Sequence, residues 1–143
     1  MSSTSTLTAP SRHEERAATP PGRLEPWFAA LDLTAGGSTA PAATRRWVDA
    51  CLAEAEVAPE HRATLRRVGT ELAREATLRA LPGEQVRVEL DLVGPIARMS
   101  ARGPSATQRL GARAVEALQS AYEWGIERVS GGSRLVWCHL ELA

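Results

Sequence analysis

The sequence contains no lysine, so all 17 of its basic residues are arginines. This absence excludes a lysine nucleophile, a Schiff-base lysine and the phosphate-binding lysine of a P-loop. The 17 acidic residues balance the arginines to a formal charge of zero. A neutral chain has no bulk electrostatic attraction for nucleic acid or for an anionic membrane, and we expect neither as a partner.

Cysteines and long apolar runs are also scarce. Cys51 and Cys138 lie far apart without metal-binding spacing, which indicates buried thiols in a reducing compartment. The three histidines have no ligand spacing either, and we expect no metal site. No stretch approaches the roughly 20 apolar residues of a membrane span, and residues 1–22 lack the apolar core of a signal peptide. Together these features predict a cytoplasmic protein.

The chain divides into a polar tail and one domain. Residues 1–22 are rich in Ser, Thr, Pro, Ala and Arg, with little apolar content beyond Leu7. Such a segment cannot bury enough apolar surface to offset the entropy of ordering, so it is predicted to be disordered. Residues 23–143 are long enough to bury a hydrophobic core as a single domain.

Within that domain, apolar residues recur with the two-residue period of strands or with the period of helices. Turn and breaker residues such as Gly94-Pro95 and Gly131-Gly132 separate these segments. The order β-α-α-β-β-α-β-β predicts a two-layer α/β sandwich, with a mixed sheet and the helices on one face. The strands are expected at 26–34, 84–93, 96–101, 126–129 and 134–142, and the helices from 41, from 59 to about 81, and over 105–122.

Several short motifs follow one another on these elements: Glu71-Leu72-Ala73-Arg74-Glu75, Arg102-Gly103, Arg109-Leu110-Gly111, Trp124-Gly125 and the Gly-Gly-Ser-Arg-Leu-Val-Trp run at 131–137. Over residues 27–142 they resemble the histidine-kinase-like (GHKL, or Bergerat) ATPase domain, and above all the anti-sigma-factor serine kinases of actinobacteria. The resemblance implies a regulator of transcription initiation whose partner is a sigma factor or a STAS-type anti-anti-sigma protein. It also implies that two copies can form a homodimer.

The nucleotide-binding motifs of that family are altered in this sequence. The family's helix reads Glu-Leu-x-x-Asn-Ala, and its Asn holds the magnesium of ATP; the resemblance puts Glu75 there. A later Asp binds the adenine amino group in the family, and Arg102 stands at that position. A guanidinium offers only donors, and no Asp or Asn follows Asp91 to supply the missing acceptor. Of the Gly-x-Gly phosphate turn, only Gly111 of Arg109-x-Gly111 remains.

Glu71 aligns with the family glutamate that acts as general base, although a solvated helix charge is the more common role of such a residue. Arg67, Glu71, Glu75 and Arg79 form an i, i+4 row, which predicts ion pairs that neutralise one another along the helix. Arg102 is expected to reach the two glutamates and to fill the pocket.

Three functions are compatible with these motifs. The first is a protein-binding regulator that no longer binds ATP and is not an enzyme. The second is an active serine/threonine kinase that uses ATP, magnesium and Glu71. The third is a scaffold or sensor that binds another anionic ligand through Arg102 and Arg109. The degenerate pocket comprises Glu71, Glu75, Arg79, Arg102, Gly103, Arg109 and Gly111, and the candidate partner contacts are Arg45, Arg46, Arg66, Arg67 and Trp27.

Overall fold

A computed structural model describes residues 26–37, 39–105 and 107–142, so the predicted tail at residues 1–22 lies outside the described residues. The observed order is β-α-α-β-β-α-β-β, as the sequence predicts. The elements are β1 (Trp27–Thr34), α1 (Ala40–Glu54), α2 (Pro59–Leu78), β2 (Gln85–Val93), β3 (Ile96–Pro104), α3 (Ala112–Leu118), β4 (Glu123–Arg128) and β5 (Ser133–Glu141).

The sheet has the strand order β1-β2-β3-β5-β4, and all four neighbouring pairs are antiparallel. The mixed sheet that the sequence analysis predicts is wrong, because every paired strand among the described residues is antiparallel. β3 and β4 do run in the same direction, but β5 inserts between them and pairs antiparallel with each. The α1–α2 hairpin returns the chain to the end where β1 finishes, so β2 must also run antiparallel to β1.

The core lies between one face of the sheet and the two long helices. Val88 and Leu90 alternate along β2 toward the helices and are fully buried with Leu65 and Val68 of α2. Each such side chain contributes about 1.5–3 kcal/mol of burial free energy. Gly69 lets α2 approach the sheet closely, since a Cβ there would lie 2.8 Å from the sulfur of a β3 methionine.

The third helix is much shorter than expected. A helix was predicted over residues 105–122, but α3 covers only Ala112–Leu118. Before it, the carbonyl oxygens of Thr107 and Arg109 accept hydrogen bonds from the side chain of Arg134 instead of from helix amides. After it, the amide of Tyr122 bonds to the carbonyl of His139 on β5. Tertiary hydrogen bonds therefore override the local helical periodicity at both ends.

The described part of the chain has no helix that is both long enough and apolar enough to cross a membrane.

Candidate functional site

Glu75 lies on the side of α2 where the resemblance places the nucleotide pocket, and only 5% of it is exposed. Its Oε2 is 2.9 Å from Nε of Arg79 and 3.4 Å from Nη2 of Arg134. Its Oε1 accepts a hydrogen bond from the amide of Gly111 at 3.1 Å. Both carboxylate oxygens are therefore engaged by groups of the chain itself.

Arg134, on β5, is the central cation of this site and is only 2% exposed. In addition to its contact with Glu75, its Nη1 donates to the carbonyl oxygens of Arg109 at 2.8 Å and Thr107 at 3.3 Å. Burial lowers the pKa of Arg134, Glu75 opposes that effect, and the positive charges of Arg79 and Arg128 add to it. One buried guanidinium thus joins α2 to residues 107–111, and we call Glu75, Arg79, Arg134 and that segment the Glu75–Arg134 cluster.

Arg134 was missed by the motif comparison, although β5 carries a signal for it. The residues that alternate with it, Val136, Cys138 and Leu140, are all buried toward the helices. An arginine in that register must either expose its head group at the sheet edge or find a partner inside. The two-residue alternation of buried side chains along β5 therefore places Arg134 on the buried face, where its charge needs a partner.

The prediction that Arg102 reaches Glu71 and Glu75 is wrong. Successive residues of a strand point to opposite faces, and on β3 it is Gly103 that faces α2, where an added Cβ would lie 3.7 Å from that of Ala76. Arg102 is exposed on the other face of the sheet, paired in register with Arg87. The guanidinium beside Glu75 is that of Arg134.

Glu71 pairs with Arg113 and Arg74 and not with Arg67, its predicted partner in the i, i+4 row. Its Oε2 lies 3.0 Å from Nη2 of Arg113 on α3, and its Oε1 lies 3.4 Å from Nε of Arg74. Arg67 instead approaches Glu116 at 3.8 Å, both side chains being well exposed, so this pair contributes little stability. Of the expected i, i+4 row, only the Glu75–Arg79 pair is present among the described contacts.

The segment before α3 is held at both ends. Arg128 of β4 donates to the carbonyls of Ser105 and Gly132, while Arg134 binds the carbonyls further along. The amide of Gly111, which would face a phosphate in the family, is already bonded to Glu75, and a Cβ at this glycine would lie 3.0 Å from the Glu75 Oε1. Arg109 contributes its backbone to the cluster, and its side chain is exposed.

The candidate partner contacts lie mostly on the helices. Arg45 and Arg46 are exposed on α1, and Arg66 of α2 bonds to Asp49 of α1 at 2.8 Å. Trp27 is partly buried and packs against the hydrophobic core at the start of β1. Its ring is therefore less available to a partner than the sequence suggests.

Both cysteines are free and buried, as predicted. Burial raises the pKa of Cys51 to about 11, with a further increase from Glu54, and burial raises the pKa of Cys138 to about 12. Because the thiolate is the reactive form, we expect neither thiol of the native protein to react with Ellman's reagent at pH 8 within minutes. Both should react after unfolding in guanidinium chloride. A rapid stoichiometric reaction in the native state would contradict this burial.

No group of three or more His, Cys, Asp or Glu residues that could hold a metal ion occurs within the described residues. The one pair of neighbouring pocket carboxylates, Glu71 and Glu75, is bound by arginines, as described above.

The sequence matches no protein-family model and no curated protein. The structure is similar to the crystal structure of the RsbU and RsbW domains of Rv1364c from Mycobacterium tuberculosis, with a TM-score of 0.56 and 18% identity. The similarity covers 80% of this chain and 32% of the solved chain. At this identity the similarity shows the fold alone, and the predicted two-layer α/β fold class is confirmed.

Proposed function

We propose that this chain is an anti-sigma-type regulatory domain that binds a protein partner and does not bind ATP. The observation that carries the proposal is the Glu75–Arg134 cluster. Glu75 corresponds by resemblance to the magnesium-binding asparagine, yet it is nearly inaccessible and both of its carboxylate oxygens are in contact with the chain. Arg134 therefore occupies the cation position next to this residue.

Entry of magnesium and ATP would require breaking that buried ion pair. Separating a buried pair costs about 3–5 kcal/mol, because one charge is left without compensation. A micromolar dissociation constant corresponds to about 8 kcal/mol of binding free energy. Displacing Arg134 would thus weaken an otherwise micromolar site by roughly two to four orders of magnitude. Binding at cellular ATP concentrations would then be marginal.

The two alternative functions have less support. A kinase needs a base with a free oxygen. Only Oε1 of Glu71 is without a hydrogen bond, and it is buried 3.4 Å from Nε of Arg74, while Oε2 is bonded to Arg113. The position that the resemblance assigns to adenine binding lacks an acceptor. A site for another anion would need Arg102 and Arg109 together. Arg102 is on the helix-free face of the sheet, whereas Arg109 belongs to the segment beside α2.

The proposed partner is a sigma factor or a STAS-type anti-anti-sigma protein. This part of the proposal rests on the RsbW-like fold and on the exposed arginines of the helical layer. Arg45 and Arg46 have no ion-pair partner among the described residues, so their charges are available to an acidic surface of another protein. Such contacts contribute to the rate and specificity of association more than to its affinity.

We expect isothermal titration of the full chain with ATP and magnesium to show no saturable heat up to about 0.1 mM nucleotide, because displacing the buried ion pair would weaken binding by at least about two orders of magnitude. Complexes with the sigma factors or STAS proteins of the source genome should form equally well with and without the nucleotide. ADP titration under the same conditions provides the control for weak, nonspecific heats. A dissociation constant of tens of micromolar or tighter would contradict the loss of ATP binding.

A further inference from the structure

We propose that a second copy of this chain pairs its β1 antiparallel with β1 of the first, so that one sheet continues through both copies. The strand order β1-β2-β3-β5-β4 leaves β1 and β4 as the edges of the sheet in the described part of the chain. An edge strand presents a row of unpaired amides and carbonyls, and proteins usually protect it with charges, prolines or bulges. The two edges of this sheet differ in that protection.

The β4 edge is protected and the β1 edge is not. Three of the six residues of β4 are charged, namely Glu123, Glu127 and Arg128. β1 is eight residues long, contains no proline and has Asp32 as its single charge. That charge is also paired, because Nη1 of Arg87 on β2 lies 3.3 Å from its carboxylate. Another strand can therefore approach β1 without meeting an uncompensated charge.

The outward hydrogen-bonding groups of β1 belong to alternate residues. The amide of Ala35 donates to the carbonyl of Glu84, which continues the register between β1 and β2. In an antiparallel pair, residues that bond to the neighbouring strand alternate with residues that do not. The backbone groups that point away from β2 are therefore those of Phe28, Ala30, Asp32 and Thr34. No loop in the described part of the chain forms a backbone hydrogen bond to them.

The positions of these four residues select the register of the pair. They are symmetric about Leu31, so a two-fold axis at Leu31 lets all four exchange hydrogen bonds with the second copy. An axis at Ala30 would instead place Thr34 opposite Pro26 of the second copy, and proline has no amide to donate. The register centred on Leu31 therefore forms more hydrogen bonds.

The side chains of β1 complement themselves in that register, which selects a second copy as the occupant. Asp32 lies opposite Ala30 of the second copy, so like charges do not face each other directly. Leu31, which packs against the hydrophobic core, lies opposite its own counterpart on the helix side. Phe28 is 43% exposed and lies opposite Thr34 of the second copy. An interface of this kind has the two-fold symmetry that is commonest among soluble oligomers.

The first test compares the wild type with A30D and A30R by analytical ultracentrifugation of the full chain, from micromolar to millimolar concentration. Both variants add one charged side chain at the same position of the edge, opposite Asp32 of the second copy. We expect the wild type and A30R to form dimers with similar dissociation constants. The dissociation constant of A30D should be about tenfold higher, because two repulsive pairs form across the axis. Circular dichroism checks that both variants are folded.

The second test is disulfide cross-linking of L31C. Its Cα would lie about 4.5 Å from its counterpart, which is within reach of a disulfide. A29C is the matched control on the same strand and face, but its counterpart would be about 13 Å away along the strand. The native Cys51 and Cys138 are buried and do not compete. We expect mild oxidation to convert L31C, and not A29C, into a covalent dimer.

Several outcomes would overturn the inference. A wild type that stays monomeric at millimolar concentration would exclude self-association, and a dimer that A30D does not weaken would place the interface elsewhere. Equal cross-linking of A29C would exclude the register. Amide exchange of the full chain identifies other occupants: protection of the outward β1 amides that does not change on dilution would assign the edge to residues 1–25, and protection only after another protein is added would assign it to a partner strand.

This inference does not depend on the proposed function. If the chain is monomeric but binds a sigma factor or a STAS protein, the pairing of β1 fails and the proposed function stands. If neither protein binds, the proposed function fails, while ultracentrifugation and cross-linking still decide the pairing.

Discussion

Replacing Arg134 with methionine is expected to lower the free energy of unfolding by about 3–5 kcal/mol. The change leaves Glu75 buried with one cation fewer, and it removes the donor for the carbonyls of Thr107 and Arg109. In a domain of this size the loss corresponds to a decrease in melting temperature of roughly 10–20 °C. Urea and thermal unfolding of the purified variant measure it.

A second substitution tests whether Glu75 is the reason. Adding Glu75→Leu removes the buried anion, so the double variant should be more stable than the sum of the two single losses predicts, by about 0.5–3 kcal/mol. Arg102→Met is the control, because Arg102 is exposed on the opposite face and should change stability by less than about 0.5 kcal/mol. Additive effects, or an equal loss from the control, would show that Arg134 does not close this site.

Leu72→Ala is the second large change that we expect, with a loss of about 2–5 kcal/mol. Leu72 is 1% exposed and belongs to the core between α2 and the sheet, so truncation leaves a cavity that the neighbours cannot fully fill. Leu78→Ala is its matched control, with the same substitution on the same helix. Because Leu78 is mostly exposed, its truncation should cost less than about 0.5 kcal/mol.

Urea unfolding of Leu72→Ala and Leu78→Ala measures the loss of stability in each variant. Because both variants carry the same substitution on the same helix, the change in helix propensity is similar and the difference between the two losses reports burial. A loss above about 1.5 kcal/mol for Leu78→Ala would be typical of a packed side chain. In that case Leu78 would be packed against the domain rather than exposed.

The secondary structure was predictable wherever local signals agreed with the tertiary contacts. Pro41 and Pro59 mark the starts of the two long helices, since proline suits the first turn of a helix. The alternating burial of β2 follows its alternating sequence. The start of α3 could not be predicted, because the carbonyls of Thr107 and Arg109 bond to a side chain more than 20 residues away along the chain.

The sequence by itself determined which chemical groups the chain offers and which it lacks. It contains no lysine, it has Glu75 on the second helix, and no Asp or Asn follows Asp91. These conclusions depend only on residue identity and order along the chain. They hold whatever the exact packing.

Only the tertiary structure decided which arginine meets Glu75. Arg102 and Arg134 lie on paired strands, with Arg102 opposite Leu135 and Arg134 opposite Gly103. Neighbouring positions along a strand face opposite sides of the sheet. A shift of the strand register by one residue would therefore bury Arg102 and expose Arg134. The alternation along β5 places Arg134 on the buried face, but its contacts with Glu75 and with the carbonyl of Arg109 depend on how α2 and the segment before α3 pack on that strand.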